Sequence, residues 1–224
     1  MKLPYANRTE AGRVLADALG DLQSAPDTLV LALPRGGVPV AWEVAHHLEL
    51  PLDLMIVRKL GVPGQPELAM GAIASGGARV LNEEVIRRLG IADQAIETVA
   101  EHEQRELQRR AEAYRGDRPE PDVAGRAVVL VDDGLATGST MAAAVAALEQ
   151  REAGRITVAV PVGSREAGAM LEARVDRFVC PALPENFFGV GQWYQNFQQT
   201  SDDEVRDLLA RAWQAHPPAG PRES

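Results

Sequence analysis

One stretch constrains this chain more than any other: Val128 to Ala143, VVLVDDGLATGSTMAA. Val128 to Val131 are four consecutive strand-forming residues, the pattern of a short strand buried on both faces. Asp132 and Asp133 follow where such a strand would surface. Gly134 and Gly138 let the backbone turn tightly and approach a ligand with no Cβ in the way. Ser139 or Thr140 can cap a helix that runs from Met141 through an alanine-rich sequence. Free N–H groups at that helix start, with the hydroxyls of Thr137, Ser139 and Thr140, form a cradle for a phosphate. The two acids would repel a bare anion. They fit a ligand that also carries sugar hydroxyls or a metal ion, and a sugar phosphate satisfies both halves. The loop is not a Walker A loop, because the spacing differs and no Lys follows Gly138.

A chain of 224 residues suits one α/β domain with an elaboration. No run approaches membrane-spanning length, and no signal peptide opens the chain. The single Cys180 excludes an internal disulfide and points to a reducing, cytoplasmic compartment. A net charge of −9 argues against nucleic-acid or anionic-membrane binding. Four histidines fall on helices or the tail with no metal-like cluster, and no Ser-His-Asp or Cys-His pattern is evident.

In chain order, residues 7–23 read as an amphipathic helix capped by Asn7 or Thr9. Residues 28–33, TLVLAL, read as a buried strand, and 38–48 as a helix. The loop between them, PRGGVP, is a second strand–glycine–helix unit, here with a cation, Arg35, beside Gly36 and Gly37. An Arg with exposed backbone N–H groups suits a pyrophosphate, because its donor fork matches phosphate oxygens. Residues 52–58 read as the next strand, with Arg58 and Lys59 leaving its end. Pro63, Gly64 and Pro66 then break structure, and two strands flank a turn at Gly76–Gly77.

Residues 82–90 and 93–115 read as helices, the second long and highly charged; together they form a helical insertion over about 82–115. It is expected to cross a sheet face half-exposed or to pack on a partner subunit. After a helix at 139–151, strands are expected at 155–162 and 175–182, with a helix capped by Ser164 between them. Residues 183–199 gather Phe187, Phe188, Trp193, Tyr194 and Phe197 without periodicity, in a chain of only 4% aromatic content. A base needs a stacking face, which makes Phe187, Trp193 and Tyr194 candidates. Residues 201–214 read as a helix with acids in its first turn, and 216–224 as a disordered tail. Alternating strands and helices imply a doubly wound, mainly parallel sheet over residues 1–215, with both glycine loops at its carboxyl edge.

LVDDGLATGST resembles the signature of type I phosphoribosyltransferases, which bind phosphoribosyl pyrophosphate (PRPP). The resemblance implies that Asp132 and Asp133 hold the ribose hydroxyls, directly or through Mg²⁺. It implies that Leu135, Ala136, Thr137, Gly138, Ser139 and Thr140 cradle the 5-phosphate, with Gly134 turning the loop. It makes Arg35, Gly36 and Gly37 the pyrophosphate loop, with a cis peptide expected at Pro34–Arg35 by register. Arg58, Lys59 and Glu67 would belong to a flexible loop over the reacting centre, where Arg58 and Lys59 could neutralise pyrophosphate, and 183–199 to an aromatic hood over the base. The implied activity is transfer of a phosphoribosyl group to a nitrogenous base in nucleotide salvage, with release of pyrophosphate, by a homodimer. The alternatives are a PRPP-binding regulatory protein without turnover and a sugar-phosphate or nucleotide hydrolase. Enzymes acting on 6-oxopurines place an Asp where this chain has Ala136, which speaks against those acceptors.

Overall fold

The apolar runs 29–32 and 128–131 become buried strands, and the strands expected over 155–162 and 175–182 stop short of prolines. The computed structural model describes residues 3–216, apart from the side chain of Glu67. The tail expected over 216–224 falls, from residue 217 on, outside the described residues. In chain order the first elements are α1 (Arg8–Ala18), β1 (Thr28–Ala32), α2 (Gly37–Leu48), β2 (Leu52–Leu54), β3 (Val57–Val62), β4 (Gln65–Ala74) and β5 (Arg79–Leu81). There follow α3 (Glu83–Leu89), α4 (Asp93–Arg115), β6 (Ala127–Val131), α5 (Ser139–Gln150), β7 (Arg155–Ala159), α6 (Arg165–Glu172), β8 (Arg177–Val179) and α7 (Asp202–Ala215). They form two compact units, one of residues up to Met55, Pro121–Gly138 and from Glu152 on, the other of Ile56–Glu120 and Ser139–Arg151.

The first unit holds a five-stranded parallel sheet in the order β2-β1-β6-β7-β8. This is the doubly wound α/β sheet expected from the alternation of strands and helices. Every residue of β1 is buried, as are four of the five in β6 and in β7, which explains the apolar runs 29–32 and Ala127–Val131. From β1 the order runs outward to β2, and from β6 it runs the opposite way to β7 and β8. The gap between the carboxyl ends of β1 and β6 is therefore the topological switch point, where open α/β sheets bind ligands. Ala32 and Val131 are register partners at that edge.

Several expected boundaries move. The strand expected over 52–58 breaks in two: Met55 N–H still donates to the Ala32 carbonyl at 2.9 Å, and the antiparallel β3 begins at Val57. The strands expected over 155–162 and 175–182 stop at Ala159 and Val179. Pro161 and Pro181 lack the N–H a ladder needs, and only an isolated bridge, Val162 to Ala182, continues the pairing. Helix α5 opens at Ser139 instead of being capped there ahead of Met141. Asn7, not Thr9, caps α1 through a 3.0 Å bond to Glu10 N–H.

The second unit is an antiparallel sheet, β3-β4-β5, with α4 against β3 and β4 and with α5 against all three strands. Gly76 and Gly77, at φ +84° and +81°, make the β4–β5 turn in the left-handed region. Arg58 and Lys59 lie inside β3 instead of leaving a strand end, and Arg58 Nε donates to Glu103 of α4 at 2.7 Å. Among the described residues no helix is long and apolar enough to cross a membrane.

Candidate functional site

Strand β6 delivers Asp132 and Asp133 to the switch point. Leu33 N–H, just past β1, donates to the Val131 carbonyl at 2.9 Å and holds the two strand ends level. Asp133 N–H donates to Asp132 Oδ1 at 2.8 Å. Asp133 Oδ2 accepts from Arg8 Nε at 2.8 Å and lies 2.7 Å from Arg8 Nη2. Both side chains are largely withdrawn from water, with 12% of Arg8 and 14% of Asp133 exposed. Burial pushes the Asp132 carboxyl well above the usual carboxylate range, and the neighbouring Asp133 charge pushes it further. Burial raises Asp133 as well, while the Arg8 guanidinium pulls it back down. A ligand that donates hydroxyls to the pair, or brings a cation, would offset that cost of ionisation.

The basic loop lies directly against the acids. A Cβ on Gly36 would sit 2.1 Å from Asp133 Oδ2, and one on Gly37 would sit 2.9 Å from Asp132 Cα and from the Val131 carbonyl. No side chain fits at either position, which is the physical reason for two consecutive glycines here. The Pro34–Arg35 peptide is cis, as the register of the resemblance predicts. Arg35 Nη1 lies 3.7 Å from Asp202 Oδ1 in the first turn of α7.

Beyond the acids the loop is pinned by its own backbone. Leu135 N–H donates to the Val162 carbonyl at 2.9 Å, and Ser164 N–H donates back to the Leu135 carbonyl at 2.8 Å. Ser164 Oγ donates to the Ala136 carbonyl at 2.7 Å and accepts from Ala167 N–H at 3.2 Å, capping α6. Gly138 takes φ +77° and is covered by Met170. Ala136, Thr137, Ser139 and Thr140 are exposed.

The aromatic segment is held on the N-terminal segment through a bridge between Tyr5 and Tyr194. Tyr5 N–H donates to Trp193 O at 2.8 Å, and Gln195 N–H to Tyr5 O at 2.7 Å. Tyr5 and Tyr194 pack with Ala11, Val162 and Ala182, and Phe187, Val190 and Trp193 cover them. Burial pushes the Tyr5 hydroxyl up to about 12. The Tyr194 hydroxyl, raised further by burial and the nearby acids, donates to the Asp133 carbonyl at 2.5 Å.

Residues 7–196 match the family described as the phosphoribosyl transferase domain. The chain belongs to that family. A Mycobacterium tuberculosis protein provisionally named a phosphoribosyl transferase, found in strains H37Rv and CDC 1551, is 49% identical over 220 residues. That alignment takes in 98% of this chain and 49% of the relative, so the chain spans about half the length of the curated relatives it matches. The crystal structure of TT1426 from Thermus thermophilus is 44% identical and superposes with a TM-score of 0.82, covering 92% of this chain and 98% of that one.

Within the phosphoribosyltransferase domain, the fold brings together Arg35, Gly36 and Gly37 with Asp132, Asp133 and Gly134. Lys59 lies exposed on β3 of the second unit. Glu67 falls on β4, and its side chain lies outside what is described. Tyr194 departs from the expectation of an open stacking face: it is 5% exposed, with its ring in the core cluster. Phe187 and Trp193 stack on one another, centroids 6.5 Å apart, and are partly buried. Phe188, by contrast, is 91% exposed. Sequence reasoning did not place Arg8 or Val190 at this edge. Both reach it across more than a hundred residues or through loop packing, and neither leaves a local pattern. Among the described residues no three His, Cys, Asp or Glu side chains converge as a metal cage. Two adjacent carboxylates suit a cation such as Mg²⁺, which keeps water and phosphate oxygens among its ligands.

Proposed function

We propose that this domain transfers the 5-phosphoribosyl group of PRPP to a nitrogenous base and releases pyrophosphate. The observation that carries this reading is the contact between the two loops: an acidic pair and an Arg-bearing glycine loop share one switch point, with Gly36 pressed on Asp133. A ligand with a diol beside one phosphate and a pyrophosphate on the neighbouring carbon fits that charge pattern. Asp132 and Asp133 accept from the ribose hydroxyls. The loop from Leu135 to Gly138 takes the 5-phosphate and fixes the sugar's orientation.

In the reaction, the bond between sugar C1 and the pyrophosphate oxygen breaks, and a bond from C1 to the acceptor nitrogen forms. That nitrogen gives up one proton, which passes to the departing pyrophosphate or to water. Arg35 and the amide of Gly36 stabilise the negative charge that grows on the leaving group, and a fixed amide needs no reorganisation as it grows; the Gly37 amide is held by the Leu33 carbonyl at 3.1 Å. Mg²⁺, when bound, supplies further neutralisation at the pyrophosphate, held through the ribose hydroxyls or water beside Asp132 and Asp133. The base would lie toward the segment with Phe187 and Trp193.

Calorimetry tests the binding half. PRPP with Mg²⁺ should bind the wild type, and Asp132→Asn with Asp133→Asn should abolish binding; a wild type that ignores PRPP refutes the reading. A screen of bases for PRPP-dependent pyrophosphate release tests the chemistry. One observation favours a second reading, a PRPP-binding regulatory protein: Ala136, exposed on the loop, has no group that could take the acceptor's proton. PRPP binding without pyrophosphate release from any base would select it.

A further inference from the structure

We infer that Arg8 is a positioning residue that fixes which oxygen of Asp133 is presented to the sugar. This rests on the PRPP reading above. Arg8 lies on the first turn of α1, 125 positions before Asp133, yet its Nε and Nη2 both converge on Asp133 Oδ2. Among the described residues no other side chain donates to Asp133 Oδ1, and the carboxylate's remaining contact is with the Asp133 backbone N–H. One carboxylate oxygen is thus saturated by a cation, and the other is left to accept from a ligand.

The guanidinium is itself held in place. Its Nη1 donates to the Gln198 carbonyl at 2.6 Å, and its carbon lies 4.1 Å from the Phe197 ring centroid, within cation–π range. Tyr194 borders it at 6.0 Å while fixing the Asp133 backbone through the carbonyl. Side chain and backbone of Asp133 are therefore clamped by different residues of one assembly, built from α1 and the segment Tyr194–Gln198. Gly36 keeps the clamp open to the basic loop: a Cβ there would lie 2.1 Å from Asp133 Oδ2 and 3.4 Å from Arg8 Nη2. Because Arg8 directs its Nε, Nη1 and Nη2 to protein oxygens, its effect on a ligand passes through Asp133.

A double-mutant cycle with calorimetric PRPP titration tests this. Arg8→Met should weaken PRPP binding roughly 10- to 100-fold, and Arg8→Lys, which returns one charge without the fork, should recover part of the loss. In an Asp133→Asn background, Arg8→Met should change the affinity less than about threefold, since the oxygen it positions has lost its charge. Full additivity of the two losses, or an Arg8→Met protein that binds like wild type, overturns the inference. Where the Asn background binds too weakly to titrate, ¹⁵N-arginine NMR of the wild type decides. The Arg8 Nε–H should stay protected from exchange when PRPP saturates the site; loss of that protection would mean that Arg8 leaves Asp133 for the ligand, and overturns it. A wild type that does not bind PRPP refutes the functional reading instead, which keeps the two failures distinct.

Discussion

Tyr194 donates its hydroxyl to the backbone carbonyl of Asp133 at 2.5 Å, across 61 positions of sequence. The bond makes the aromatic segment a brace for the acidic loop. Tyr194→Phe keeps the ring in its cluster and leaves a largely buried carbonyl without its donor. It should cost about 1–2 kcal/mol of stability, read by chemical denaturation, and should weaken PRPP binding by letting the loop relax. Unchanged stability would show that water replaces the hydroxyl without loss.

Gly134 has the same segment against it. A Cβ at this position would lie 2.5 Å from Val190 Cγ1. Gly134→Ala should therefore destabilise the domain by about 1–3 kcal/mol through overpacking. In a Val190→Ala background the same change should cost about 1 kcal/mol less, a coupling measurable by a denaturation cycle. Equal costs in the two backgrounds would place the strain elsewhere.

Asp132 makes a prediction about pH. Its carboxyl sits well above the ordinary value of 3.8, first through burial and then through Asp133. A raised folded-state value means that the folded protein holds this proton more tightly than the unfolded chain does. The associated stability is present in full below 3.8 and is lost as pH rises through the raised folded value. Asp132→Asn removes that loss and can still accept from Asp133 N–H. Without ligand, the variant should melt higher than wild type at neutral pH, with the gap closing toward pH 3.8, while PRPP binding collapses. A variant that melts lower at neutral pH would contradict the assignment of burial as the main cause.

Cys180 is the sole cysteine. Burial pushes its thiol up to about 12, and its sulfur donates to the Ala182 carbonyl at 3.2 Å. Thiolate is the reactive form, so a thiol reagent at neutral pH should modify the native protein slowly and the denatured protein fast. Rapid labelling of the native state would show that the 180–182 segment opens readily.

Much of this architecture is written locally. AVVLV is apolar along its whole length, and TLVLA from Leu29 on, because both faces of β1 and β6 are covered, and DDGLATG follows β6 because a loop at a strand end must turn and bind through its backbone. The pairing of Arg35, Gly36 and Gly37 with Asp132 and Asp133 was legible as two motifs of one kind. Strand ends were less so: the break after Met55 depends on which sheet each half can bond to, and that is a nonlocal choice.

Only the tertiary structure decided what the acids lean on. The strand order β2-β1-β6-β7-β8 fixes which strand ends meet, and so brings the two expected glycine loops, far apart in the sequence, against one another at a single switch point. Nothing in the sequence required Arg8 to reach this site, and Tyr194 was a candidate stacking face for a base. Packing turned the first into the counter-ion of Asp133 and the second into a buried prop for its carbonyl. The stretch from Val128 to Ala143 names the chemistry because strand, turn and cap are local. The position of Asp133 comes from Arg8 and Tyr194, and its raised pKa from burial that Arg8 partly offsets, because burial and ion pairing exist only once the distant segments have met.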